Sequence, residues 1–172
     1  MSALHITQLT DQLADVLERL IQLHEVMHDG IRAKLEAMRR ADVEAMLTGA
    51  RIEGEIADQV ELLSAERLRV VSSLCTSLKL PVAPAAASLR MLASRLEGVE
   101  RDRLLRLAAR LREEMVKVGE ANRTVEFVCR EMLLHFKTLF TCMVRGADAP
   151  EIYHRDGDLG GVCAPAVLDA VG

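Results

Sequence analysis

At 172 residues, with three Phe, one Tyr and no Trp, the chain is long enough for one ordinary domain and rich in Ala, Leu, Glu, Arg and Met, the residues of long helices rather than strands. Its net charge of −4 is unevenly spread: residues 1–80 carry 9 basic and 13 acidic groups, 81–145 carry 12 and 8, and 146–172 carry 1 and 5. That distribution predicts acidic and basic antiparallel helices packed on each other, and it excludes the net basic footprint of a nucleic-acid binder.

The first helix is written in Ile6, Leu9, Leu13, Val16, Leu20, Leu23 and Met27, whose spacings of three and four make a heptad seam. Two spacings of four through Ile31, Leu35 and Met38 then form a stutter beside Asp29-Gly30. Arg39-Arg40 suits a helix C-terminus, and Asp42 with Glu44 suits the start of the next helix. The sequence therefore predicts a tight connection at Arg40 to Asp42, while a kinked continuous helix stays open because the loop is so short.

The second helix, Asp42 to Lys79, places Ile56, Val60, Leu63, Val70, Leu74 and Leu78 on one face, with Arg67 at the missing seam position. Pro81 and Pro84 end it and the chain reverses. A short helix fits Ser88 to Leu96. The longest helix is predicted over Glu100 to Val144, with Leu104, Leu107, Leu111, Met115, Val118, Asn122 and Val125 on its seam. A seam asparagine sets register at some cost in stability, so Asn122 and Arg67 are the expected register-setting residues. After Arg145 the composition turns to Gly, Pro, Asp and Ala, which predicts a flexible acidic tail over 146–172 following a helical bundle over 1–145. The fold class is thus all-α: a long antiparallel bundle of three long helices and one short one.

The stretch from Val125 to Val144, VEFVCREMLLHFKTLFTCMV, holds all three phenylalanines. Val125, Cys129, Met132, Phe136, Leu139 and Met143 satisfy the seam, which leaves Phe127, Leu133, Leu134 and Phe140 on a second apolar face. With Val144 these are the candidate partner-binding residues. The longest helix outreaches the second, so its far end, near Phe136 to Arg145, is expected to overhang.

His24-Glu25-Val26-Met27-His28 matches the H-E-x-x-H zinc pattern letter for letter. Leu23 and Met27 are needed by the seam, which puts both histidines on a solvated rim, so no metal is expected. Glu25-x-x-His28 and Glu151-x-x-His154 have the spacing of a di-iron carboxylate pair, but the second lies in the tail. No phosphate-binding glycine loop or nucleophile elbow occurs, and the expectation is a non-enzyme without cofactors. Cys75, Cys129, Cys142 and Cys163 form no C-x-x-C pair, the N-terminus lacks a leader pattern, and no run of 18 apolar residues occurs. The protein is therefore expected to be soluble, unexported and cytoplasmic, with no nucleic-acid partner and no membrane insertion.

The chain resembles the FlgN-type flagellar export chaperones from about Leu9 to Gly157. What carries the resemblance is an order: the break at Arg40-Ala41-Asp42, then Leu62-Leu63-Ser64-Ala65-Glu66-Arg67, Leu80-Pro81, the Leu-rich helix with Asn122 before Val125, and IYHRDG with Tyr153 and Gly157. It departs from the family pattern in having Gly119 where a second asparagine often stands, and in the residues after Gly157. The resemblance implies a cytoplasmic chaperone that binds the C-terminal helices of hook-filament junction subunits, keeps them unassembled and delivers them to the export apparatus, with a weak homodimer as a further possibility. The residues themselves leave a second reading open, a structural coiled-coil homo-oligomer.

Overall fold

The computed structural model describes residues 3–80, 83 and 86–148, the side chains of the last few excepted. Four helices follow in order: α1 Ala3–Arg39, α2 Val43–Ser77, α3 Leu89–Ala93 and α4 Gly98–Asp148. No strand occurs among the described residues, and the three long helices and one short helix are those the sequence predicts. The chain divides into two compact units, Met1–Phe127 and Val128–Gly172, whereas the composition places its boundary near residue 145. Of the predicted tail, residues 146–148 continue α4, and residues 149–172, with Tyr153, Gly157 and Cys163, lie outside the described residues.

The α1–α2 connection is a hairpin because two caps share one residue. Asp42 N–H donates to Ala37 O at 2.9 Å and Ala41 N–H to Met38 O at 3.1 Å, the paired bonds of a Schellman cap, with Ala41 at φ 54°. Asp42 then serves as N-cap of α2, its Oδ1 accepting from Ala45 N–H at 3.0 Å. The same cap closes α2: Leu80 N–H reaches Cys75 O at 2.9 Å and Lys79 N–H reaches Thr76 O at 3.2 Å, with Lys79 at φ 52°. α3 starts at an N-cap too, Ser88 Oγ accepting from Met91 N–H at 3.1 Å.

Within the first unit the core gathers Leu13, Leu17, Leu20 and Ile21 of α1, Leu63, Val71 and Leu74 of α2, Leu92 of α3, then Leu96, and Leu104 and Leu111 of α4. α1 buries Ala14, Leu17 and Ile21 in addition to Leu9, Leu13, Val16 and Leu20 of its seam, whereas Ile6, Leu23 and Met27 of that seam are half-buried. A two-stranded seam would leave them at its edge. A helix packed against two neighbours buries a wider stripe, and α1 has both α2 and α4 beside it. On α2 the predicted Ile56, Leu63 and Leu74 are buried, while Val71 and Cys75 are buried in place of the predicted Val70 and Leu78, which are only half-buried.

Charge explains how the third long helix docks. Arg103 of α4 donates to Asp11 at 3.1 Å and Glu18 at 3.0 Å, and Arg110 donates to Glu25 at 2.6 Å. The residue numbers rise together, so α4 runs parallel to α1 and antiparallel to α2. The acidic and basic segments do face each other, but the expected antiparallel pairing is not the one these ion pairs make: α1 and α4, which they join, are parallel. Between α1 and α2 the antiparallel register shows in Arg19 with Glu66 and Lys34 with Glu53.

Several seam assignments on α4 need correction. Asn122 is exposed, as is Met115, so Asn122 is not a buried polar group in this chain. The buried face of α4 fades after Val118. In the second unit none of residues 128–144 is buried, including Phe136, Leu139 and Met143, which the heptad pattern assigns to a packed seam.

Candidate functional site

The second unit presents an apolar helix surface. Leu133 is 70% exposed, Phe140 68%, Phe136 60% and Leu139 46%, with Leu134, Met143 and Val144 also exposed. The predicted candidates Leu133, Leu134, Phe140 and Val144 therefore lie on one helical segment and are accessible. Phe127, the remaining candidate, is exposed as the last residue of the first unit. Sequence reasoning missed Phe136, Leu139 and Met143 as accessible groups because their heptad spacing is what a seam looks like. The hydroxyls between them are already used: Thr138 donates to Leu134 O at 3.0 Å and Thr141 to Lys137 O at 2.8 Å. These threonines turn their bonding inward along the helix and leave apolar contact as the chemistry of this surface. Cys129 and Cys142 are exposed free thiols on the same segment.

The first unit contains a concave feature, an open groove of 1060 Å³ between α2, the start of α3 and α4. Arg67 lines it rather than sitting in a closed seam, together with Leu68, Val71, Leu105, Met115 and Val116. Arg112, Gly119 and Arg123 stand along the same face of α4. The signal for it was in the sequence as the spacing of Arg112 and Arg123, three helical turns apart on a face of small residues, Ala108 and Gly119 among them.

His24 and His28 do not form a donor set. His24 Nδ1 donates to Leu20 O at 2.7 Å, and His28 Nδ1 stands 3.9 Å from Asp29 Oδ1. No group of three His, Cys, Asp or Glu side chains among the described residues is placed to hold a metal ion. Both pairings are local to α1, as a helix surface provides for any rim residue.

No described helix is long and apolar enough to cross a membrane. The sequence matches the family whose description is FlgN protein over residues 1–160. No curated protein and no solved structure matches the chain.

Proposed function

The chain belongs to the FlgN family, a family of flagellar export chaperones rather than enzymes, and on that premise we propose that it binds the C-terminal helical segments of hook-filament junction subunits, holds them unassembled in the cytoplasm and delivers them to the export apparatus. The observation that carries this reading is that residues 128–144 bury no side chain while offering Leu133, Leu134, Phe136, Leu139, Phe140, Met143 and Val144. An apolar helix surface of that size seeks an amphipathic helix to lie against. Each such side chain contributes about 1.5 to 3 kcal/mol on full burial, from which association and ordering costs are subtracted, so four or five of them support roughly micromolar binding. The free thiols Cys75, Cys129 and Cys142 fit a reducing compartment.

Titration of the purified chain with a peptide of a junction subunit's C-terminal helix tests the proposal. Leu133→Ser with Phe140→Ser should abolish binding while the far-UV spectrum and melting temperature stay unchanged. A large fall in melting temperature would place these residues in a packed interior and overturn the site.

The same exposed surface also fits self-association, the mark of a structural coiled-coil subunit. Sedimentation at low micromolar concentration separates the two: a monomer or weak dimer supports the chaperone, and a concentration-independent tetramer supports the structural role.

A further inference from the structure

We propose that the groove between α2 and α4 in the first unit is a second docking site, and that its occupant is an acidic amphipathic helix of a partner protein. It goes beyond the cargo surface of the second unit and is separate from it in residues and in chemistry.

The shape points to a helix. α3 is only five residues long and plugs one end of the valley between α2 and α4, with Leu92 fully buried. From Ala87 to Arg90 the plug stops and the valley stays open along α4 from Leu105 to Arg123. That is about 27 Å at 1.5 Å per residue, the length of a five-turn helix. The exposed apolar residues Leu68, Leu105, Met115 and Val116 line it. A Cβ built on Gly119 meets nothing within 4 Å, so the valley is open in front of that residue and another helix can approach closely there.

The charge names the sign. Arg67, Arg90, Arg112 and Arg123 line the groove and Glu120 is the one acid among its lining residues. The side chains of these four arginines make no hydrogen bond or ion pair among the described residues, whereas Arg103 and Arg110, which face α1, are both paired. A basic lining whose side chains the described residues leave unpaired is complementary to carboxylates brought by a partner. Arg112 and Arg123 are eleven residues apart, about 16.5 Å along α4, too far for one phosphate or carboxylate to bridge. Charges distributed three turns apart on a helix match that separation. A single-stranded nucleic acid would draw on aromatic side chains for stacking, and none lines the groove.

The test uses the full chain carrying Leu133→Ser and Phe140→Ser, so that the cargo surface cannot contribute. Two labelled 18-residue helical peptides are titrated by fluorescence anisotropy, identical in a leucine face at i, i+3, i+4 and i+7 but flanked by glutamates in one and lysines in the other. The glutamate peptide should bind at least about tenfold more tightly than the lysine peptide, and more weakly as salt rises. Gly119→Leu, which places a side chain in the opening, and Arg112→Glu with Arg123→Glu should each weaken it at least about tenfold. Gly119→Leu should keep the far-UV spectrum and hold or raise the melting temperature, since it replaces a helix-interior glycine, so loss of binding is not loss of fold. Equal binding of the two peptides, or binding that survives the arginine reversal, overturns the proposal. So does a wild-type dimer in sedimentation that Gly119→Leu dissolves, which would seat a second copy in the groove.

Discussion

Arg103 of α4 donates from Nη2 to Glu18 Oε1 of α1 at 3.0 Å, and from Nη1 to Asp11 at 3.1 Å, tying the first and last long helices in parallel register. The hydrogen bond to Glu18 is the main reason the guanidinium is held above its usual pKa, with Asp11 and Asp15 adding attraction. All of these groups are well exposed, so solvent screening limits their worth to about 0.5 to 1 kcal/mol for the network. Arg103→Met should lower the melting temperature by a few degrees at low salt and by clearly less in 0.5 M salt, a difference thermal scans at the two ionic strengths will read.

Leu17→Ala should cost about 3 kcal/mol, because Leu17 is fully buried among α1, α2 and α4 and its loss leaves a cavity. Leu139→Ala should change stability by no more than about 0.5 kcal/mol, because Leu139 packs against nothing that buries it. Equal losses in urea unfolding would mean that the heptad assignment of Leu139, not its exposure, describes the free protein.

Asn122→Leu should leave the melting temperature nearly unchanged, within about 0.5 kcal/mol, since Asn122 is exposed and holds no buried partner. A clear rise in melting temperature would restore the view that this asparagine sits in a packed seam.

Lys79 occupies the left-handed position of the α2 cap at φ 52°, where a side chain costs about 1 to 2 kcal/mol and glycine does not. Glycine gives back part of that gain in unfolded-chain entropy. Lys79→Gly should therefore raise stability by about 0.5 to 1 kcal/mol in chemical denaturation, and Lys79→Val should lower it.

Lys117 bonds to Glu113 at 2.9 Å and Glu114 at 2.8 Å. The hydrogen bond from Lys117 holds the Glu113 carboxyl below its ordinary pKa. A carboxylate with a lowered folded-state pKa stabilises the fold above its unfolded value, near pH 4.3, and that contribution disappears as pH falls through the folded value. Lys117→Met should thus be less stable than the wild type at pH 7, with the gap closing below about pH 4 as stability is followed against pH.

The periodicity of the sequence determined the helices, because burial along α1 and α2 needs an apolar residue every three or four positions and Asp42, Ser88 and Arg40 carry the local chemistry of caps. It also determined that Val125 to Val144 has more apolar surface than one seam can use. What it could not determine was which neighbour each face meets. A heptad position records only that a residue could be buried: Leu104 and Leu139 have the same spacing, yet Leu104 is fully buried in the first unit and Leu139 is exposed in the second. The parallel docking of α4 on α1, the widening of the α1 stripe to Leu17 and Ile21, the exposure of Asn122 and the open valley beside Arg112 and Arg123 were all decided by tertiary packing. Burial is a property of two surfaces, and a sequence written along one helix specifies only one of them.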